Sequence, residues 1–349
     1  MGGRGEGDEG EEGIESIIPG RGENNPVLKI LLVTFPFFAL VLAGYIAARF
    51  RLLRLDAIPG LNGFVLYFAL PCLLRRFGST TPAAQLLNPG VALTYLVCAL
   101  VMVGIVVAVS MNGRIGWNDA AFGALVAAFP NTGFMGVPLL VALLGEAAAG
   151  PVIATLMVDL VITSSLCVAL SRLDGADQHG FAKAAKNAIK GVLVNPMPWA
   201  ILLGATASAA QLKVPGPVRQ TVELLAGAAS PVALFTIGAV LARSQMLAPA
   251  GAPASPLRDY VPIAVMKLVL HPVLVLLVGT MAIKLGVPLS QYAVTVIVLV
   301  AALPSASNVT LLAEKFGADN GRIARIVLAS TAAAFLSFSA AFSLLIDSK

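Results

Sequence analysis

The sequence predicts an all-α polytopic membrane protein of ten transmembrane helices, arranged as two inverted five-helix repeats with breaks in helices four and nine. Three observations lead to this fold. Of the 349 residues, 58% are hydrophobic and only 12% are charged, about half the charge of a soluble domain. Apolar stretches of roughly 20 residues, each long enough to cross a bilayer, fill nearly all of the chain after Pro26. Prolines also recur at matching places in the two halves of the chain.

The predicted spans follow a short polar tail. Residues 1–26 are rich in glycine and acidic residues and are predicted to be disordered. The spans are expected at about 27–49, 57–77, 90–111, 119–144 and 150–171, and then at about 192–211, 221–243, 260–283, 290–314 and 321–346. Residues 27–171 therefore hold the first five spans, and residues 192–349 hold the second five.

Residues 172–191 form the longest polar interruption and lie between the two halves. Lys183, Lys186 and Lys190 recur there at helical spacing, so this connection is either an amphipathic helix on an anionic leaflet or an ordinary charged connector. Lysine and arginine are more numerous on this side of the predicted topology, which makes it the cytoplasmic side. Five spans precede this connection and five follow it, so both termini are predicted outside the cytoplasm. The chain is then integral to the plasma (inner) membrane.

Four prolines indicate the repeat. Pro71 and Pro231 lie within the second span of each half, and Pro130 and Pro304 lie within the fourth. Because each half has an odd number of spans, the two halves must cross the membrane in opposite orientations. Inverted repeats of this kind are the architecture of many secondary transporters.

The fourth span carries the strongest sign of a broken helix. Residues 130–138 contain two prolines and two glycines, which open the backbone near mid-membrane. We expect Asn131 and Thr132 to cap the half-helix that follows, whose amides would then face the gap with partial positive charge. Such an end can bind a carboxylate.

The ninth span repeats this plan, with small polar side chains after the crossover proline: Pro304, Ser305, Ser307 and Asn308. Two purely structural kinks are the alternative interpretation. The matching positions of the two breaks in the repeat favour a shared binding site over that alternative.

A few ionisable residues lie inside apolar spans, where an unpaired charge costs several kcal/mol. Asp159 in the fifth span either pairs with Lys267 in the eighth or carries a coupling proton. His271 lies four residues after Lys267, and it either hydrogen-bonds a freed carbonyl or joins that coupling role. Arg75 and Arg76 either snorkel to headgroups or bind a second substrate carboxylate.

Other classes of protein fit the sequence poorly. An intramembrane enzyme needs a His/Asp/Glu cluster or a nucleophile–base pair, yet the two histidines, His179 and His271, lie in separate segments. A sensor needs a signalling domain, for which no residues remain. The three cysteines lie in apolar runs without a CxxC pair, which argues against a metal site. No basic patch suggests nucleic acid.

Two stretches resemble a known family. Residues 131–140, NTGFMGVPLL, resemble the fourth-helix signature of the auxin efflux carrier family, and residues 303–309, LPSASNV, resemble its ninth-helix crossover. The resemblance implies a scaffold of spans one, two, six and seven, and a transport domain of the other six that moves like an elevator. It also implies that a substrate carboxylate contacts Asn131.

These observations together predict a secondary transporter, not an enzyme, without a cofactor. Its substrate is expected to be a small organic anion, and the resemblance to bacterial members of that family implies a dicarboxylate such as malonate. The predicted contact residues are Asn131, Thr132, Gly133, Phe134, Ser305, Ser307, Asn308 and Arg76. An efflux carrier for an auxin-like indole monocarboxylate is the alternative, with an apolar pocket around Phe134 and Met135. The coupling ion, H+ or Na+, and the existence of a homodimer stay open.

Overall fold

The computed structural model describes residues 26–80, 88–173, 196–210, 215–247 and 256–346. Within these ranges all regular structure is helical, and no β-strand occurs. Six helices are long and apolar enough to cross a membrane: Ile58–Phe77, Pro89–Ser110, Glu146–Leu170, Gly216–Met246, Leu257–Lys284 and Asn320–Leu345. The predicted all-helical membrane class is confirmed. The predicted tail and most of the connection 172–191 lie outside the described residues.

The helices are numbered in chain order. The first six are α1 (Pro26–Arg49), α2 (58–80), α3 (Pro89–Ser110), α4 (Trp117–Ala128), α5 (Thr132–Leu144) and α6 (149–170). The others are α7 (Pro196–Ala209), α8 (Gly216–Met246), α9 (Leu257–Lys284), α10 (Gln291–Ala302), α11 (Asn308–Phe316) and α12 (Asn320–Ile346).

Prolines affect these helices in different ways. Helix stops before Pro130 and before Pro304, so α4 and α5 are separate segments, as are α10 and α11. Pro231, by contrast, lies inside the continuous helix α8. Pro71 follows a π turn at Val65–Ala69, a local widening of the kind that accommodates a residue without an amide donor.

Four of the most extensive helix–helix contacts fall into two sets of two. Helix α1 packs along α8, and α7 packs along α2. Likewise α3 packs on α4, and α9 packs on α10. The α1–α8 contact depends on two glycines, because a Cβ on Gly44 would overlap the Phe235 carbonyl and one on Gly238 would overlap the Val41 carbonyl.

Two short helices lie at the centre of the fold. Every residue of α4 from Ala120 to Ala128 is buried, and so is every residue of α10 from Ala293 to Ala302. A helix that is apolar on all sides is surrounded by other helices. Since α4 and α10 both end at a break, the breaks are also placed inside the protein.

Candidate functional site

The two helix breaks touch each other. Pro130 and Ser305 form an isolated antiparallel bridge. The Asn131 amide donates to the Pro304 carbonyl over 2.8 Å, and the Ala306 amide donates to the Phe129 carbonyl over 3.0 Å. Backbone groups that lost their helical partners at the two prolines therefore satisfy one another. The structure brings the two predicted breaks into one place.

Each half-helix after a break begins with free amides. Met135 and Gly136 both donate to the Asn131 carbonyl, but the amides of Gly133 and Phe134 have no acceptor within the described ranges. The amides of Ser307 and Asn308 likewise have none among the residues described. The first amides of a helix carry partial positive charge, so both ends are suited to an anion.

A small cleft opens beside these amides. Its walls are mainly apolar, and two carboxamide side chains, Asn131 and Asn308, contribute polar groups. The Asn308 Oδ1 atom is buried without a hydrogen-bond partner in the part of the chain described. The lining residues are Leu70, Phe129, Pro130, Asn131, Gly133, Phe134, Leu156, Leu160, Ala306 and Asn308.

Asn131 and Thr132 do not cap the half-helix as predicted. The Asn131 side chain makes no capping bond, although the Asn131 main-chain carbonyl accepts from Met135 and Gly136 as that of an N-cap residue does. The Thr132 hydroxyl points back to the Pro130 carbonyl, 3.4 Å away. Asn131 is 3% exposed and lines the cleft, so its carboxamide is left available to a ligand.

The remaining predicted contacts are distributed unevenly. Gly133, Phe134 and Asn308 line the cleft, whereas Thr132, Ser305 and Ser307 are buried next to it without lining it. Arg76 does not line the cleft either. It is exposed on α2, with its guanidinium 5.3 Å from the centre of the Phe77 ring.

The buried carboxyl of Asp159 lies in a polar cluster with α3. Asp159 is fully buried and accepts hydrogen bonds from the Tyr95 hydroxyl at 3.0 Å and the Thr163 hydroxyl at 3.1 Å. It begins a π turn, Asp159–Thr163, within α6. Such turns are frequent at functional sites.

Lys267 lies close enough to interact electrostatically with Asp159, but the two are not within 4.0 Å among the ion pairs of the described residues. The direct ion pair, one of the two alternatives for Asp159, is therefore absent among the described residues. The Lys267 Nζ atom instead donates to the Ala301 carbonyl at 2.6 Å and lies 3.2 Å from His271 Nδ1.

Sequence reasoning missed Tyr95 and the apolar lining residues Leu70, Leu156 and Leu160. A tyrosine inside an apolar span is a detectable signal, since a buried hydroxyl needs a hydrogen-bond partner. Nothing local distinguishes the three leucines from their neighbours. Only the packing of α2 and α6 against the break identifies them.

Comparison with known proteins agrees with a membrane protein of this kind. A family model described as membrane transport protein matches residues 30–341. A Rhizobium meliloti (strain 1021) protein named "Putative malonate transporter" is 30% identical over 300 residues, which covers 86% of this chain and 90% of that protein.

Two further relatives are more distant. The "Uncharacterized transporter YfdV" of Escherichia coli (strain K12) is 28% identical over 290 residues, which covers 80% of this chain and 86% of that protein. Auxin efflux carrier component 4 of Arabidopsis thaliana is 27% identical over 150 residues, which covers 42% of this chain and 24% of that protein.

Proposed function

The chain belongs to the membrane transport protein family, which includes the auxin efflux carriers, and from this membership we propose that it is a secondary active carrier for a small organic anion. The observation that carries the proposal is the meeting of two half-helix N-termini, each with free amides, beside one buried cleft. An anion can bind there without a full opposite charge in the membrane.

The helix pairs support an inverted repeat of ten spans. If α1 to α6 form one repeat and α7 to α12 the other, then the α1–α8 pair corresponds to α7–α2, and α3–α4 corresponds to α9–α10. The crossing breaks would lie at the centre of this symmetry. In our proposal, α1, α2, α7 and α8 form a scaffold, and the remaining helices carry the substrate across the membrane as an elevator.

A dicarboxylate such as malonate is the proposed substrate. Asn131 from one break and Asn308 from the other both line the cleft, so a substrate with two carboxylates would find a polar partner at each half-helix end. One carboxylate would contact Asn131 and the amides of Gly133 and Phe134. The second would contact the α11 end at Ser307 and Asn308. The name of the Rhizobium relative supports this choice.

Arg76 stays a prediction as a substrate contact. It lies six residues beyond Leu70, the one α2 residue in the cleft wall, and so about 9 Å further along the helix. A contact from Arg76 would need the substrate on its entry or exit path.

An indole-type monocarboxylate is the second candidate. Leu70, Phe134, Leu156 and Leu160 give the cleft an apolar wall, which an aromatic ring would contact favourably. The two candidates differ in what they demand of the site, because only a dicarboxylate uses both half-helix ends.

Uptake into proteoliposomes tests the proposal. The full chain should accumulate labelled malonate, and unlabelled malonate should compete better than indole-3-acetate. Uptake of the indole acid without malonate uptake would favour the second candidate. No uptake of either acid, under pH or sodium gradients of both directions, would contradict the proposed function.

A further inference from the structure

We propose that the Lys267 side chain is tethered at the end of α10, where its ammonium form takes the place of a coupling sodium ion. The transport part of this inference rests on the proposed function. The position of the ammonium rests on a hydrogen bond from α9 to α10 and on a contact within α9.

The break at Pro304 leaves the Ala301 carbonyl of α10 without a backbone donor. In a continuous helix the Ala301 carbonyl would accept from the amide of Ser305. That amide donates instead to the Ser330 hydroxyl on α12, over 3.2 Å, and Pro304 has no amide to offer. The Ala301 carbonyl is thus an unpaired acceptor at the negative end of a buried helix.

Lys267 supplies the missing donor. Its side chain is fully buried, and Nζ approaches the Ala301 oxygen to 2.6 Å. His271 Nδ1 lies 3.2 Å from the same nitrogen. Lys267 belongs to the π turn Met266–Leu270 of α9, and His271 directly follows that turn. Two contacts therefore hold the ammonium, one to α10 and one to His271 on its own helix.

A sodium-coupled carrier with broken helices uses this kind of position for its ion. Half-helix C-terminal ends and unwound carbonyls coordinate the coupling cation there. In this chain the position holds an ammonium that cannot leave. Asp159 makes no direct ion pair with Lys267 among the described residues, so it does not compete with the Ala301 carbonyl for the ammonium.

Thermal unfolding of the purified full chain tests the inference without a substrate. Equal concentrations of sodium, potassium and choline chloride should give the same midpoint within experimental error. An ion that binds only the folded state raises the midpoint as its concentration rises. A sodium-specific rise for the unaltered protein would overturn the proposal.

Transport by variants gives the second test. In sodium-free medium the unaltered chain should take up malonate at the rate seen with sodium. Lys267→Met should lose about tenfold or more of that rate, as expected when a buried charged hydrogen bond is removed. Lys267→Arg should keep measurable uptake. Lys284→Met, at the exposed end of the same helix, should be unaffected.

Two results would contradict the inference: a sodium requirement in the unaltered chain, or full sodium-free transport by Lys267→Met. If Lys267→Met does not fold, the ion comparison on the unaltered chain and the uptake by Lys267→Arg still test the inference. Failure of the proposed function is a different result, because the unaltered chain would then take up no acid in any medium, while the thermal measurement would remain informative.

Discussion

The hydroxyl of Tyr292 donates a hydrogen bond to the carbonyl of Leu144 over 3.1 Å. Tyr292 is the second residue of α10, and Leu144 is the last residue of α5. The same relationship recurs in the other pair, where the Asn118 carboxamide at the start of α4 donates to the carbonyl of Phe316 at the end of α11, over 3.2 Å. The C-terminal end of α5 is thus bound by α10, and the C-terminal end of α11 is bound by α4. Each half-helix that follows one break is therefore attached to the helix that precedes the other.

Removal of the Tyr292 hydroxyl should weaken the attachment of the C-terminal end of α5 to α10. A hydrogen bond of this kind contributes about 1 kcal/mol, which corresponds to about a fivefold change in an equilibrium constant. We therefore expect Tyr292→Phe to raise the KM for malonate by about this factor with little change in kcat. The control is Tyr67→Phe, whose residue is 62% exposed on α2. Equal KM values for the two variants would contradict the role.

Asn131→Ala should strongly reduce uptake while the protein still folds. The Asn131 side chain makes no capping bond, so its removal costs little stability, but a substrate carboxylate loses a charge-assisted partner of about 1.5–3 kcal/mol. Uptake should fall by about tenfold to a hundredfold. Asn62→Ala makes the same change on α2, away from the cleft, and should transport normally. Full activity of Asn131→Ala would remove Asn131 from the site.

Asp159→Asn should uncouple transport from the pH gradient if Asp159 carries a coupled proton. Asparagine keeps the size of the side chain and can still bond to Tyr95 and Thr163, but it cannot release a proton. One coupled proton changes the accumulation ratio by about tenfold per pH unit, and the variant should lose that dependence. Asp56→Asn, at an exposed carboxylate that pairs with Arg54, is the control. Unchanged pH dependence in Asp159→Asn would contradict the coupling role.

The sequence predicted the breaks well because their cause is local. A proline removes an amide donor wherever it stands, and the small polar residues beside Pro130 and Pro304 indicate that the freed backbone is used. Two details were beyond local reasoning. The Asn131 side chain stands at the N-cap position without making a capping bond, and sequence spacing does not distinguish such a side chain from one that caps.

The second detail is the partner of a buried charge. Asp159 and Lys267 were both identifiable from the cost of burying them, yet opposite charge suggested a direct pair. In the structure Tyr95 bonds to the first and the Ala301 carbonyl bonds to the second. These partners come from helices distant in sequence, so no pattern within one span could identify them. The ten-span inverted repeat remains a prediction that the helix pairing supports.

Substitution of the crossing glycines should separate α1 from α8. A methyl group on Gly238 would overlap the Val41 carbonyl, which belongs to the backbone and cannot move aside. Overpacking costs about 1–3 kcal/mol and more where the backbone must shift, so Gly238→Ala should lower the thermal midpoint by several degrees and reduce uptake. Gly44→Ala should act alike, since it faces the Phe235 carbonyl. Gly227→Ala is the matched control on the same helix, where a Cβ meets nothing within 4 Å, and it should match or exceed the stability of the unaltered chain because alanine favours helix. If Gly238→Ala is as stable as Gly227→Ala, then the close contact of α1 and α8 is not what holds these helices together.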